Sequence, residues 1–404
     1  MKVVPLKEIA TVDISNVDKK SKDGELEIVL CNFVDVYRNW AITKDSVPNL
    51  MHATASANQI ERFSIHKGQV AITKDSETRD DIGVATYIAD NIENGVLGYH
   101  CALITPDENV LRGEYLNIVL HSPYAQKYFE ANASGSGQRY TLTNDIIESF
   151  PVPLPDDFGV QLNMGKLCSD IDSKIANNTA ICSDLEAIAK LLYDYWFVQF
   201  DFPDENGNPY KSSGGKMIWS EELRREIPEG WEAKTIGSLL GKYPRTKSVS
   251  RDDYGKRGLF PIIDQSKDYI CGYTDDKEKV LPMSDAIVFG DHTNIAKYVN
   301  FDFARGADGT QIINSNDSRI PNYLLYLQIK SLPIIEEGYS RHYKFLKEQY
   351  VIAPGQNVSA YYMKVVKDSL LAIRNYLEDN KQLAELRDFL LPMLMNGQVK
   401  IGRQ

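Results

Sequence analysis

No apolar run in this 404-residue sequence approaches the ~18 residues needed to cross a bilayer. The opening MKVVPLKEIATVDIS turns polar too soon for a secretory signal. Cysteine is sparse: Cys31, Cys101, Cys168, Cys182 and Cys271 are scattered, odd in number and never spaced C-x-x-C. That excludes a disulfide framework and a thiolate zinc site, and fits reduced thiols in a cytoplasm. The histidines at 52, 66, 100, 121, 292 and 342 show no metal-ligand spacing. Positive charge is also short, with 45 Lys/Arg against 56 Asp/Glu. Phosphate neutralisation supplies much of any affinity for nucleic acid, so a binder this acidic needs basic surface from partners. The deficit is uneven: residues 156–231 carry 7 Lys/Arg against 14 Asp/Glu, whereas 232–354 carry 17 against 16.

Catalytic motifs are missing as well. There is no N/D-P-P-Y/F methylase motif, no glycine-rich S-adenosylmethionine loop, no H-E-x-x-H and no nucleophile elbow. SSGGKM (Ser212–Met217) fails as a phosphate loop, because Tyr210 stands at the first glycine position and Met217 follows the lysine. GSGQ (Gly135–Gln138) reads as an ordinary flexible loop, and Asp80/Asp81 and Asp252/Asp253 as solvated turns. Asp291-His292 is an acid–base pair only if no surface-loop explanation suffices. No nucleophile, base and stabiliser come together, so the chain reads as non-catalytic, with no metal and no cofactor of its own.

What the sequence does contain is a duplication. Val160–Phe200 recurs 198 residues later: Lys166 falls on Lys364, Asp170 on Asp368, Leu185 on Leu383 and Leu192 on Leu390. Both copies read as long helices with apolar residues at alternating steps of three and four. The first seam is Met164, Leu167, Ile171, Lys174, Asn178, Ile181, Leu185, Ile188, Leu192 and Tyr195. The second is Tyr362, Val365, Ser369, Ala372, Tyr376, Asp379, Leu383, Leu386, Leu390 and Met393. Such seams suit an antiparallel coiled-coil pair, with Lys174 and Asn178 fixing register. A helix from Gln161 to Phe197 reaches roughly 55 Å at ~1.5 Å per residue.

The segments before the helices match more loosely. PLKEI (Pro5–Ile9) pairs with TIGSL (Thr235–Leu239), and Gly68–Ile88 with Ser284–Val299 as strand, polar loop and strand. EYLNIVLHSP (Glu114–Pro123) pairs with NYLLYLQIKS (Asn322–Ser331), and GSGQRYTL (Gly135–Leu142) with GYSRHYKF (Gly338–Phe345). The fold class is therefore mixed α/β (α+β), two tandem globular domains each followed by a long helix. The divisions are 1–155, a first helix 156–200, a linker 201–231, a second domain 232–355, and a second helix with tail 356–404. The linker's Tyr210, Trp219 and Trp231 predict that it packs on the domains, and Ser220–Glu226 reads as one or two helical turns.

Tyr195–Glu232, with its FDFP, NPYKSSGGKM and IPEGW elements, resembles the central linker of type I restriction–modification specificity subunits. The duplication around it extends the resemblance to essentially the whole chain. The resemblance implies a DNA-binding specificity subunit whose two target-recognition domains each read one half of a bipartite, interrupted double-stranded site. It also implies two methyltransferase subunits bringing S-adenosylmethionine, and, in a restricting complex, two restriction subunits using ATP and Mg2+. The paired helices would then set the gap between half-sites, about one DNA turn of roughly 34–36 Å. A rival reading is a DNA-independent two-headed adaptor.

Base reading needs long polar or basic side chains on exposed loops. In the first domain the candidates are Lys74, Asp75, Arg79, Ser136, Gln138, Arg139 and Tyr140. In the second they are His292, Asn294, Ser340, Arg341, His342, Tyr343 and Lys344, with Lys242, Arg245, Lys247, Arg251 and Lys256 from the run KYPRTKSVSRDDYGKR. The helices are the expected methyltransferase docking surface, with Tyr193 and Trp196 either anchors or buried packing.

Overall fold

The computed structural model describes residues 2–135, 138–255, 257–283, 285–307, 309–332 and 341–395. Contacts divide the chain into two compact units. The first is Met1–Asn177 with Asp379–Gln404, and the second is Asn178–Glu378. Each unit thus takes part of both long helices.

In the first unit the strand Val70–Thr73 lies at the centre of a five-stranded sheet. The order is Ala10–Ile14, Cys101–Pro106, Val70–Thr73, Ala85–Ile88 and Ala41–Ile42. All four central residues are buried because both faces are covered. Val70 and Ile72 face a core built with the helix Gly113–Leu120, and Ala71 faces a second core with Cys31, Ile65 and Leu97. Val70, Ala71 and Ile72 supply the apolar run that such a two-sided strand requires, and the buried Thr73 hydroxyl oxygen accepts from Val84 N–H at 3.0 Å. A second sheet orders Met51–Ala55, Leu26–Cys31 and Gly95–Leu97, its middle strand antiparallel to the first and parallel to the last. The opening strand Lys2–Pro5 pairs antiparallel with Pro151–Leu154. Gly113 opens its helix against the turn at Gly68, where an added Cβ would lie 2.0 Å from the Gly68 carbonyl oxygen.

The second unit repeats this plan. Glu232–Thr235 pairs antiparallel with Tyr350–Ala353, as the first and last strands of the other unit do. Ala286–Gly290 sits between Ala296–Val299 and Thr310–Ile313, with the helix Asn322–Ser331 on the face carrying Ile287 and Phe289. Phe260–Ile263 lies antiparallel to Gly272–Thr274 and parallel to Phe303–Arg305, reproducing the mixed sheet. The duplication read from the helices thus extends to a shared three-stranded core in each sheet, to which the first unit adds Ala10–Ile14 and Ala41–Ile42 and the second adds Val280–Leu281.

The linker segment Ser220–Glu226 is not helical. Met217–Ser220 and Arg225–Pro228 form a hairpin, closed through Arg224 at φ 51°. Phe202 stacks on both Trp231 and Tyr210, and Trp231 meets Phe200 edge-on and packs against Phe197 at the helix end. Trp219, in contrast, is 58% exposed.

The first long helix spans Phe158–Tyr193 and closes in a π-turn, Asp194–Val198; the second spans Gln356–Met395. They run antiparallel within each unit. In the first, Arg387 meets Asp172 at 2.9 Å. In the second, Cys182 Sγ approaches the Ile373 carbonyl at 3.9 Å, and Tyr362 Oη donates to the Ala189 carbonyl at 2.9 Å. The seam differs from the heptad reading in its later turns. Met164, Ile171 and Asn178 are buried, but then Cys182, Ala189, Tyr193 and Trp196 replace Ile181, Ile188 and Tyr195, which are exposed. The cause is the mismatch between ~3.6 residues per turn and a 3.5 repeat, which rotates the face by about 20° per heptad. From Met164 to Ala189 is about seven full turns, whereas Ile188 falls well short. In the second helix Leu386 is displaced outward in the same way and Leu391 is buried, while Val365 is exposed from the start because the step from Tyr362 is four, to the buried Val366.

Candidate nucleic-acid interface

Each unit ends its central strand at a three-way backbone junction. In the first, Lys74 N–H donates to the His100 carbonyl at 2.9 Å, and the Lys74 carbonyl accepts from Leu142 N–H at 2.7 Å. In the second, Asp291 N–H donates to the Gly309 carbonyl at 2.7 Å, and the Asp291 carbonyl accepts from His342 N–H at 2.9 Å. These bonds make Lys74 equivalent to Asp291 and Leu142 to His342. The loop match read from the sequence, which set Phe345 opposite Leu142, is thus displaced by three residues.

Around the first junction Asp75 is buried, 7% exposed. Its Oδ2 lies 2.5 Å from His100 Nδ1 and 2.9 Å from Lys74 Nζ. Burial pushes the Asp75 carboxyl up, but hydrogen bonds from Thr141, His100 and Lys74 outweigh it and hold it below the ordinary value. Arg139 Nη2 stands 3.1 Å from His100 Nε2. The same Nη2 stands 3.1 Å from His100 Nδ1, so the guanidinium lies against the imidazole ring as a whole. The Arg79 guanidinium lies 5.2 Å from the centre of the Tyr140 ring. The strands Tyr140–Thr141 and Asp75–Ser76 pair directly, so Lys74, Asp75, Arg79, Arg139 and Tyr140 come together as one cluster. Gln138 is exposed beside it, and Ser136 falls outside the described residues. Asp75 is placed behind the surface, where it braces other side chains.

His100 is the member that sequence reasoning missed. Its φ of 71° is left-handed, an uncommon state for a non-glycine residue. Only the pairing of Cys101 with Thr73 brings it beside Asp75, and no local pattern announces that pairing.

Around the second junction Asp291 is 8% exposed, and its Oδ1 accepts from Tyr343 N–H at 2.9 Å. Burial pushes the Tyr343 phenol up, with Tyr243 and Asp291 adding to it, which places Tyr243 in the same cluster. Asp291 and His292 do not form an acid–base pair: the carboxylate serves the Tyr343 amide, and the His292 side chain is exposed. The His292 N–H donates to Gln265 Oε1 at 3.1 Å, so Gln265 is a second brace that was not foreseen. Asn294 has φ 57°, and its Oδ1 is buried without a hydrogen-bond partner among the described residues. Arg341 and Lys344 are exposed, whereas His342 is 8% exposed and sits inside. Lys242, Arg245, Lys247 and Arg251 are exposed on the irregular segment leading to the short turn Arg251–Asp253. Ser340 and Lys256 fall outside the described residues.

Tyr193 and Trp196 are buried, 4% and 5% exposed, so they are packing and not outward anchors. The helices expose other apolar side chains. Ile188 is 62% and Leu191 70% exposed, with Val365 at 47%, in the second unit. In the first unit Phe389 is 65% and Leu386 46% exposed. No described helix is long and apolar enough to cross a membrane.

No family model matches the chain. It is 24% identical over 323 residues to the specificity subunit of the type I restriction enzyme MjaIX from Methanocaldococcus jannaschii, covering 74% of this chain and 71% of that protein. It is 25% identical over 412 residues to the type I restriction enzyme HindI specificity subunit of Haemophilus influenzae, covering 83% of this chain and 87% of the relative. In fold it is similar to the crystal structure of the S subunit of a type I restriction–modification system from M. genitalium. There the TM-score is 0.51, with 13% identity, 97% of this chain and 95% of the other.

Proposed function

We infer that this chain, a homologue of type I restriction-enzyme specificity subunits, is the component that selects the DNA on which such a complex acts. The observation that carries the reading is the repeated junction. Each unit brings a loop of exposed polar and basic side chains to the end of its central strand by the same backbone bonds, while the side chains differ. A shared scaffold with divergent loops suits two readers of two different half-sites. Arg79, Gln138 and Arg139 would meet one half-site, and His292, Arg341 and Lys344 the other. Lys242, Arg245, Lys247 and Arg251 supply phosphate contacts. Asp75 and His342 stand behind these surfaces.

Two methyltransferase subunits would supply adenine methylation and S-adenosylmethionine, and restriction subunits, in a restricting complex, would supply ATP-driven cleavage. Ile188, Leu191 and Val365 in one unit, and Leu386 and Phe389 in the other, are the apolar side chains available for docking the methyltransferase.

The test is co-production with the cognate methyltransferase subunit and single-molecule mapping of N6-methyladenine. A bipartite interrupted motif that vanishes without this chain is the expected result. A stable complex that adds no new methylation supports the DNA-independent adaptor instead.

A further inference from the structure

The two junctions share a feature that their backbone bonds place one residue apart. Each holds one buried carboxylate, but from different positions: Asp291 is itself the junction residue, whereas in the first unit that place is Lys74 and the carboxylate comes from Asp75, one residue on. Both grip the incoming loop. Asp291 takes the Tyr343 amide at 2.9 Å, and Asp75, paired in register with Thr141, takes His100, whose ring in turn contacts Arg139 at 3.1 Å. A buried carboxylate is costly to place unless its partners are fixed around it, so it defines one loop position more sharply than backbone bonds alone. His100 keeps a left-handed backbone beside it, φ 71°, a strain that the surrounding contacts must hold.

We propose that Asp75 and Asp291 are positioning residues for base recognition, each setting the pose of the reading loop of its own unit and therefore the specificity of one half-site. This rests on the reading of those loops as DNA-reading surfaces. The two carboxylates differ in what they supply. Asp75 must carry charge, because Lys74 Nζ and His100 Nδ1 both point at its Oδ2. Asp291 need only accept a hydrogen bond from a backbone amide. Asparagine therefore replaces Asp291 without loss and fails to replace Asp75.

The experiment compares wild-type chain with Asp75→Asn, Asp291→Ala and Asp291→Asn, each co-produced with the methyltransferase subunit. Genome-wide N6-methyladenine motifs are read, along with hydrogen exchange of the purified complex at the Leu142, His342 and Tyr343 amides. The expected result is faster exchange at Leu142 in Asp75→Asn, with discrimination at one half-site reduced roughly 10-fold or more, the size of one lost bidentate base contact. Asp291→Ala does the same at the other half, and Asp291→Asn restores it. A purely structural role would lower the yield or melting temperature of the complex and affect both halves together. If Asp75→Asn does not fold, Thr141→Val removes one of the carboxylate's donors more gently and is expected to relax the same half. Unchanged motifs with faster exchange, or equal loss at both halves, overturn the proposal while leaving the specificity role standing. A wild-type chain that directs no methylation overturns the specificity role and the proposal with it.

Discussion

Arg387 holds one end of the helix pair through three groups of the first unit. Its Nη1 reaches Asp172 at 2.9 Å, its Nη2 stands 3.4 Å from Asp388, and its guanidinium lies 4.2 Å from the centre of the Trp40 ring. Asp172 and Arg387 side chains are only 19% and 16% exposed. Burial pushes the Asp172 carboxyl up from 3.8 to about 6, with Asp388 adding and Arg387 opposing, and its Oδ2 finds no hydrogen-bond partner among the described residues. At ~1.4 kcal/mol per unit, the ionised form costs the folded state about 3 kcal/mol relative to the protonated one. The two partners should therefore behave unequally at pH 7.5. Asp172→Asn removes the charge that folding disfavours and leaves Arg387 paired with Asp388, so it is expected to be neutral or stabilising by about 1–3 kcal/mol. Arg387→Ala leaves that charge buried beside Asp388 and uncovers Trp40, costing about 3 kcal/mol or more. For a unit of this size that lowers the melting midpoint by about 6–12 °C. The double variant Asp172→Asn with Arg387→Met recovers most of the loss. Calorimetric melting of all four proteins is the assay, and equal losses from the two single variants would refute the reasoning.

The same region gives a pH signature. His121, its ring centre 4.1 Å from that of Trp40, is lowered by burial from 6.5 to about 4. A depressed histidine withdraws stability as pH falls from about 6.5 to 4, while the raised Asp172 restores stability over nearly the same interval, about 3 kcal/mol each. Wild-type melting contributed by this pair is thus nearly flat between pH 6.5 and 4, and Asp172→Asn exposes a decline that His121→Gln reverses. Gly113→Ala drives a Cβ into the Gly68 carbonyl and should cost about 3 kcal/mol or more, seen as lost soluble yield or an early melt. Ala substitution of Lys242, Arg245 and Lys247 together should weaken DNA binding at every sequence alike. It should lower the slope of log K against log salt by up to about 2.7, and an unchanged slope would remove them from the phosphate contacts. Ile188→Asp with Leu191→Asp should leave melting within about 0.5 kcal/mol of wild type, since both side chains are exposed. Loss of methyltransferase co-purification is the expected consequence, and an intact complex would place the docking surface elsewhere.

The sequence by itself determined the large organisation. A recurrence at 198 residues and a ~3.6-residue period are long-range and redundant, so they survive divergence and reveal two α/β halves and two long helices. The strand, polar loop and strand read over Gly68–Ile88 was likewise legible, whereas burial of Val70–Thr73 on both faces came from the layers packed around it. The candidate loops were legible as exposed polar stretches, and Lys74, Asp75, Arg79, Arg139 and Tyr140 do lie together.

Tertiary structure alone decided the finer matters. Which helix residues face inward depended on accumulated rotation, a few degrees per turn that no short window reveals; hence Ala189 is buried and Ile188 exposed. Ser220–Glu226 became a hairpin because Met217–Ser220 found a partner strand, although its local composition allowed a helix. His100 and Gln265 joined the candidate site only through strand pairing and loop closure, contacts between residues 25 or more positions apart. Asp75 and His342, polar and placed in polar stretches, went inside because each found fixed partners for its polar groups or its backbone there. Burial of a polar side chain depends on what the rest of the chain brings to it, and that information is absent from the residue and its neighbours.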